Sequence, residues 1–123
     1  TEENVAYFKA LGYHQSIETN GTRRPPRGLD YITCSPKKEA MRLLSRNFPD
    51  GVNEFRFPIG KDIDLPPNIS DLPPAEAYLL SPIFVGETQG EVDSSAVELC
   101  VDYILKHPEW RLSIQMHKLI HIP

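Results

Sequence analysis

Apolar and polar positions change period several times along the chain, and each change marks an element. From Glu2 to Leu11, Val5, Phe8 and Leu11 recur at helical spacing, and Gly12 supplies a stop, which predicts a first helix. Tyr13 to Glu18 is a short polar strand candidate, ended by the turn Thr19-Asn20-Gly21-Thr22. Arg23 to Asp30, with Pro25-Pro26 and Gly28, is a loop. Tyr31 to Cys34 is a β-rich run stopped by Ser35-Pro36, since proline cannot donate to a ladder. Lys38 to Phe48 places Met41, Leu44 and Phe48 on one face of a second helix, closed by Pro49-Asp50-Gly51.

Val52 to Ile59 alternates, with Phe55, Phe57 and Ile59 on one side, and predicts a strand. The proline-rich stretch Gly60 to Pro74 is a surface connection. Glu76 to Val85 is a near-continuous apolar run, the pattern of a strand covered on both faces. A polar loop from Gly86 to Asp93 leads to a third helix. Ser95 and Glu98 have capping-box spacing there, and Val97, Cys100, Val101 and Ile104 form the apolar stripe. After His107-Pro108, Trp110, Leu112, Ile114 and Met116 share one strand face, and Arg111, Ser113, Gln115 and His117 the other. The predicted order is helix, strand, strand, helix, strand, strand, helix, strand. Such alternation with short links indicates an α/β domain with a mainly parallel sheet.

Length and composition narrow this further. The 123 residues suit a single α/β unit spanning the whole chain, 1–123. Apolar residues make up 40% and charged residues 24%, which fits a packed globular domain rather than a disordered one. No apolar run reaches the roughly 18 residues of a membrane-crossing helix. Thr1 to Asn4 lacks the basic and apolar regions of a secretory signal. With 13 Lys and Arg against 17 Asp and Glu, the net charge of −4 argues against general binding of nucleic acid or membrane surfaces. Cys34 and Cys100 stand far apart with no CxxC, so neither a disulfide framework nor a zinc site is legible. A reducing, cytoplasmic setting is therefore expected. The chain opens at Thr1 within a predicted helix, which suggests a piece of a longer protein.

In α/β folds, sites gather at the carboxyl ends of strands. Here those ends are Glu18-Thr19-Asn20, Ser35-Pro36-Lys37, Ser81-Pro82 and Gln115 to Lys118, all polar where the strand bodies are not. Glu18 can serve as a general base or hydroxyl ligand, or simply as a solvated carboxylate. Lys37 can hold an anion, or be a solvated lysine at a helix start. His117, with Gln115 two residues back on the same face, can both donate to and accept from a small polar heterocycle; it also reads as an exposed histidine on an edge strand. His117 and His121 have i, i+4 spacing, but they continue a strand and no HExxH-type glutamate accompanies them, so no metal ligand is assigned. Arg23, Arg24 and Arg27 form a basic patch without the interleaved aromatics of an RNA-binding surface. No GxGxxG, P-loop or GxSxG motif occurs.

Four segments carry a resemblance. Ile17-Glu18-Thr19-Asn20-Gly21-Thr22, Thr33-Cys34-Ser35-Pro36-Lys37, Val52-Asn53-Glu54-Phe55-Arg56-Phe57-Pro58 and Trp110 to Lys118 stand in the order of the C-terminal part of 7-carboxy-7-deazaguanine synthases. The chain thus resembles a portion of a radical S-adenosylmethionine (SAM) enzyme of queuosine and deazapurine biosynthesis. The resemblance implies the C-terminal portion of an incomplete (β/α) barrel. It implies a lyase-type parent activity, conversion of 6-carboxy-5,6,7,8-tetrahydropterin to 7-carboxy-7-deazaguanine, with SAM, a [4Fe-4S] cluster and Mg²⁺.

By the same resemblance, Glu18, Ser35, Pro36, Lys37, Ser81, Pro82, Ile83 and Phe84 belong to the SAM site, while Gln115, His117 and the carboxylate of Pro123 contact the pterin. No catalytic residue is assigned to this chain. Ser81 stands where the family commonly has Gln, and Met116 where it has Thr. The cluster cysteines and the Gly-Gly-Glu-Pro segment that binds the SAM amino group are missing from this chain, which alone is therefore expected to be inactive. Two other readings remain open: a radical SAM activating enzyme acting on a protein partner, and a non-catalytic module that binds a nucleotide or pterin. A barrel cut before Tyr13 leaves an unpaired edge from Tyr13 to Glu18, so self-association as a homodimer is also expected.

Overall fold

The computed structural model describes residues 1–83 and 94–113. Its elements are α1 (Glu2–Ala10), β1 (Ser16–Thr19), β2 (Tyr31–Cys34), a 3₁₀ segment (Lys38–Leu43) running into α2 (Leu44–Asn47), β3 (Val52–Ile59), a 3₁₀ turn (Ile69–Asp71), β4 (Ala75–Pro82), α3 (Ser94–Lys106) and β5 (Trp110–Leu112). The strands form one sheet in the order β1-β2-β3-β4-β5. Pairing is parallel, with Glu18 beside Thr33, Thr33 beside Glu54 and Tyr78 beside Trp110. The β3–β4 pairing runs the same way: Val52 N donates to Pro74 O at 3.0 Å near the strand starts, and Ile83 N donates to Ile59 O at 3.1 Å near their ends. The α/β class and the element order follow the hydrophobic pattern.

Contacts divide the chain into two compact units, with the boundaries falling inside β3 and β4. One comprises Thr1–Phe55 with Asn68–Ala77, and the other Arg56–Pro67 with the chain from Tyr78 onward. In the first unit, Thr1 caps α1 by accepting from Asn4 N, and Gly12 at φ +85° ends the helix in a conformation that costs glycine little. The predicted stripe of α1 is only partly used, because Val5 is buried while Phe8 and Leu11 are exposed. β1 is shorter than predicted and starts at Ser16, since Gln15 N is taken by Asp30 Oδ2 at 2.8 Å. The second helix opens as a 3₁₀ segment, yet it buries Leu44 and Phe48 as the spacing requires. Cys34, Ala40, Leu44, Phe48 and Phe55 make this core.

In the second unit, Trp110 is the hub. Phe57, Tyr78 and Tyr103 meet it edge-on, with ring centroids 5.7, 5.8 and 6.2 Å away. His107 stacks on Tyr103 at 4.1 Å and ends α3. Three expectations are corrected here. β4 is not covered on both faces, because Leu80 and Pro82 are buried while Ala77, Leu79 and Ser81 are only half-buried. The α3 seam runs along Ala96 and Cys100, with Tyr103 and Ile104 half-buried, and Val101 faces outward. Ser95 lies within α3 as its second residue rather than at its cap.

Candidate functional site

The first unit supplies two of the polar strand ends. Past the last regular pair of β1 and β2, the ladder continues through Ser35 N to Thr19 O at 2.9 Å and Lys37 N to Asn20 O at 3.1 Å. The segment Ser35-Pro36-Lys37 is thereby laid along the turn after β1. That turn is organised by its own side chains: Thr19 Oγ1 accepts from Gly21 N, while Asn20 Oδ1 accepts from Thr22 N at 3.1 Å and Thr22 Oγ1 at 2.7 Å. Gly21 sits at φ +86°, and a Cβ there would stand 2.9 Å from Leu44 Cδ2. The backbone conformation therefore favours glycine, and a side chain there would also have to displace the end of Leu44. The side chains of Glu18, Ser35 and Lys37 are exposed and that of Pro36 is half-buried, so the structure brings these four together on one edge.

A polar row crosses the sheet beside them. The register places Glu18, Thr33 and Glu54 on one face of β1, β2 and β3. Thr33, itself buried, donates Oγ1 to Glu54 Oε1 at 2.8 Å. Asn53 accepts from Ile32 N at 2.7 Å through Oδ1, so a side chain extends the β2–β3 ladder by one bond. Sequence reasoning singled out Glu18 but noted Thr33, Asn53 and Glu54 only as parts of motifs. It missed Asn47, whose Nδ2 donates to Gly21 O at 2.8 Å from a buried position. The signal was present, because Asn47 lies three residues after Leu44 on the buried face of α2. A polar residue on an apolar stripe marks a buried hydrogen bond.

In the second unit, Ser81 and Pro82 are the last residues of β4, and Ile83 follows them. Ser81 Oγ is buried and has no hydrogen-bond partner among the described residues. Ser113 N donates to Leu80 O at 2.8 Å, which brings Ser113 beside Ser81. Gly60 lies under Ile83, whose Cδ1 would stand 2.6 Å from a Cβ at that position. Phe84, Gln115, His117, His121 and Pro123 lie outside the described residues.

Neither thiol suits a reactive or ligating role. Burial pushes Cys34 up to about 12 and Cys100 up to about 11. They stand in different units, and among the described residues no group of three or more His, Cys, Asp or Glu could hold a metal ion. Tyr103 is also raised, first by burial and then by the charge of Glu109. The Arg23–Arg27 patch is occupied locally: Arg24 Nη2 donates to Arg46 O at 2.9 Å, and Arg27 Nε lies 3.6 Å from Glu2 Oε1. A cavity of about 460 Å³ between Arg24–Leu29 and Asn47–Gly51 opens on the amino side of β2 and β3, away from the strand ends. Among the described residues, no helix is long and apolar enough to cross a membrane.

Comparison with curated proteins bears out the resemblance. The chain is 38% identical over 112 residues to the 7-carboxy-7-deazaguanine synthase of Bacteroides thetaiotaomicron, covering 90% of this chain and 52% of that protein. It is 36% identical over 115 residues to the enzyme of the same name from Bordetella pertussis, covering 93% and 49%. For Caulobacter vibrioides the figures are 31% over 119 residues, covering 97% and 51%. The chain spans about half the length of the curated relatives it matches. No protein-family model matches it.

Proposed function

We propose that this chain, similar along nearly its whole length to half of the 7-carboxy-7-deazaguanine synthases, is the C-terminal half of a cytoplasmic radical SAM enzyme. That enzyme converts 6-carboxy-5,6,7,8-tetrahydropterin to 7-carboxy-7-deazaguanine. The observation that carries this reading is the similarity to several synthases over at least 90% of the chain, with the described parts of the motif segments falling on strands and strand ends.

The side chains present fit SAM in kind. SAM is a zwitterionic nucleoside that, when bound, supplies the reactive 5′-carbon of radical chemistry. In the first unit, Lys37, Ser35 and Glu18 offer exposed polar groups on one edge. In this assignment Lys37 neutralises the carboxylate, Ser35 and Glu18 hydrogen-bond polar nucleoside atoms, and Pro36 borders the apolar parts; Ser81, Pro82, Ile83 and Phe84 are assigned to SAM on the resemblance alone. Gln115, His117 and Pro123 are assigned to the pterin on the resemblance alone.

The cluster does not fit this chain. Cys34 and Cys100 are both buried and both held protonated, so its ligands belong to the other half of the longer protein, and no step is assigned to this chain through it. Mg²⁺ is likewise assigned to the longer protein.

The coding sequence upstream of Thr1 tests the reading. Three closely spaced cysteines followed by a Gly-Gly-Glu-Pro segment are expected. An initiation codon directly before Thr1 would overturn it in favour of a stand-alone binding module.

A further inference from the structure

Ser35 and Lys37 are exposed, so no side-chain packing fixes where their functional groups stand. Their placement depends on the backbone, and that backbone forms a closed circuit. Lys37 N is held by Asn20 O, and Lys37 O accepts from Ala40 N at 2.9 Å, where the helical segment begins. The chain then runs through the 3₁₀ segment and α2 to Asn47, whose Nδ2 returns to Gly21 O, one residue from Asn20. A second strap lies outside it, from Arg24 Nη2 to Arg46 O. Of the two side-chain links, only the Asn47 bond is buried.

We propose that Asn47 is a positioning residue for the SAM-binding edge, fixing the turn at Gly21 and through it the placement of Ser35 and Lys37. This rests on the SAM reading above. The Gly21 carbonyl accepts a buried bond from Asn47, and a buried carbonyl that loses its donor is costly to leave unpaired. Without that donor the turn must shift toward another partner. Asn20 O and Thr19 O, which hold Lys37 and Ser35, shift with it. Gly21 has no side chain of its own to hold the turn in place.

The test uses Asn47→Asp, which keeps the shape but removes the donor, together with Asn47→Ala and the control Val52→Ala. Val52 is a core residue at the opposite end of β3 from its carboxyl terminus. In the longer protein with its cluster reconstituted, SAM affinity measured by calorimetry should fall about tenfold in both Asn47 variants. It should stay within about twofold in Val52→Ala, despite a comparable loss of stability. In the 123-residue chain, amide exchange at Lys37 and Ser35 should accelerate about tenfold in Asn47→Asp while Tyr31, bonded to Gln15 O, is unaffected. Unchanged SAM affinity together with unchanged exchange at Lys37 would overturn the proposal, as would an equal loss of affinity in Val52→Ala. Failure of the wild-type longer protein to bind SAM would overturn the functional reading instead, and the exchange measurement would still decide the role of Asn47.

Discussion

The side-chain amide of Asn47 meets the carbonyl of Gly21 at 2.8 Å, tying the end of α2 to a turn 26 residues earlier in the chain. A helix end and a turn meet as one corner through that bond. The glycine within it is fixed by conformation and by space at once. Gly12 offers the contrast, with a similar φ of +85° and no atom within 4 Å of a would-be Cβ.

Gly12→Ala should therefore cost only the conformational term, about 1 kcal/mol. Gly21→Ala adds the encounter with Leu44 and should cost about 2–4 kcal/mol. Urea unfolding of the two variants gives the comparison. Equal losses would mean that the corner can relax around a methyl group.

The thiols set a pH window. Cys34 and Cys100 stay protonated in the folded chain to about 12 and about 11, whereas in the unfolded chain they titrate near their ordinary 9.0. Below pH 9 both states hold the protons, and the thiols add no pH dependence. Above it the unfolded chain binds fewer protons, so stability falls as pH rises, by up to about 1.4 kcal/mol per pH unit for each thiol. Unfolding midpoints measured from pH 8 to 11 should show this decline, and Cys34→Ala should reduce its slope. Native-state alkylation at pH 8 should be slow at both positions. Rapid labelling without unfolding would contradict the burial.

Trp110 is the chain's one tryptophan, and it lies in the second unit. Its emission should be blue-shifted and should report the unfolding of that unit. Trp110→Ala removes the partner of Phe57, Tyr78 and Tyr103 and should cost about 3–5 kcal/mol. Trp110→Phe should recover part of that loss. Circular dichroism with denaturant checks both.

The hydrophobic pattern made the elements legible because strands and helices bury alternate and i, i+4 positions wherever a core exists. It erred where burial is one-sided. In α1, Phe8 and Leu11 have the right spacing but no cover, and in β4 an apolar run lies half-open to solvent. Periodicity reports which face is apolar, not whether anything packs on it. The strand-end residues Glu18 and Ser35 to Lys37 were legible as polar punctuation. The contacts that hold them were not, since Asn47 and Gly21, like Thr33 and Glu54, meet across more than 20 residues of sequence.

The exposed edge carries a further expectation. Among the described residues, β1 pairs only with β2 in the sheet order, and Tyr7, Phe8, Leu11 and Tyr13 stand exposed on α1 and the link that follows it. We expect the 123-residue chain to associate through β1, as a species of about twice its 14.0 kDa that declines on dilution. Sedimentation at several concentrations tests this, and Phe8→Ser should weaken the association. A strictly monomeric chain at high concentration would show that the edge does not pair.

The most direct test of the account is turnover by the longer protein. Reconstituted anaerobically with iron and sulfide and supplied with SAM, Mg²⁺, a low-potential reductant and 6-carboxy-5,6,7,8-tetrahydropterin, it should release 7-carboxy-7-deazaguanine. Mass spectrometry should detect the product, and its formation should require SAM. A protein loaded with its cluster that binds SAM yet leaves the pterin unchanged would contradict the account.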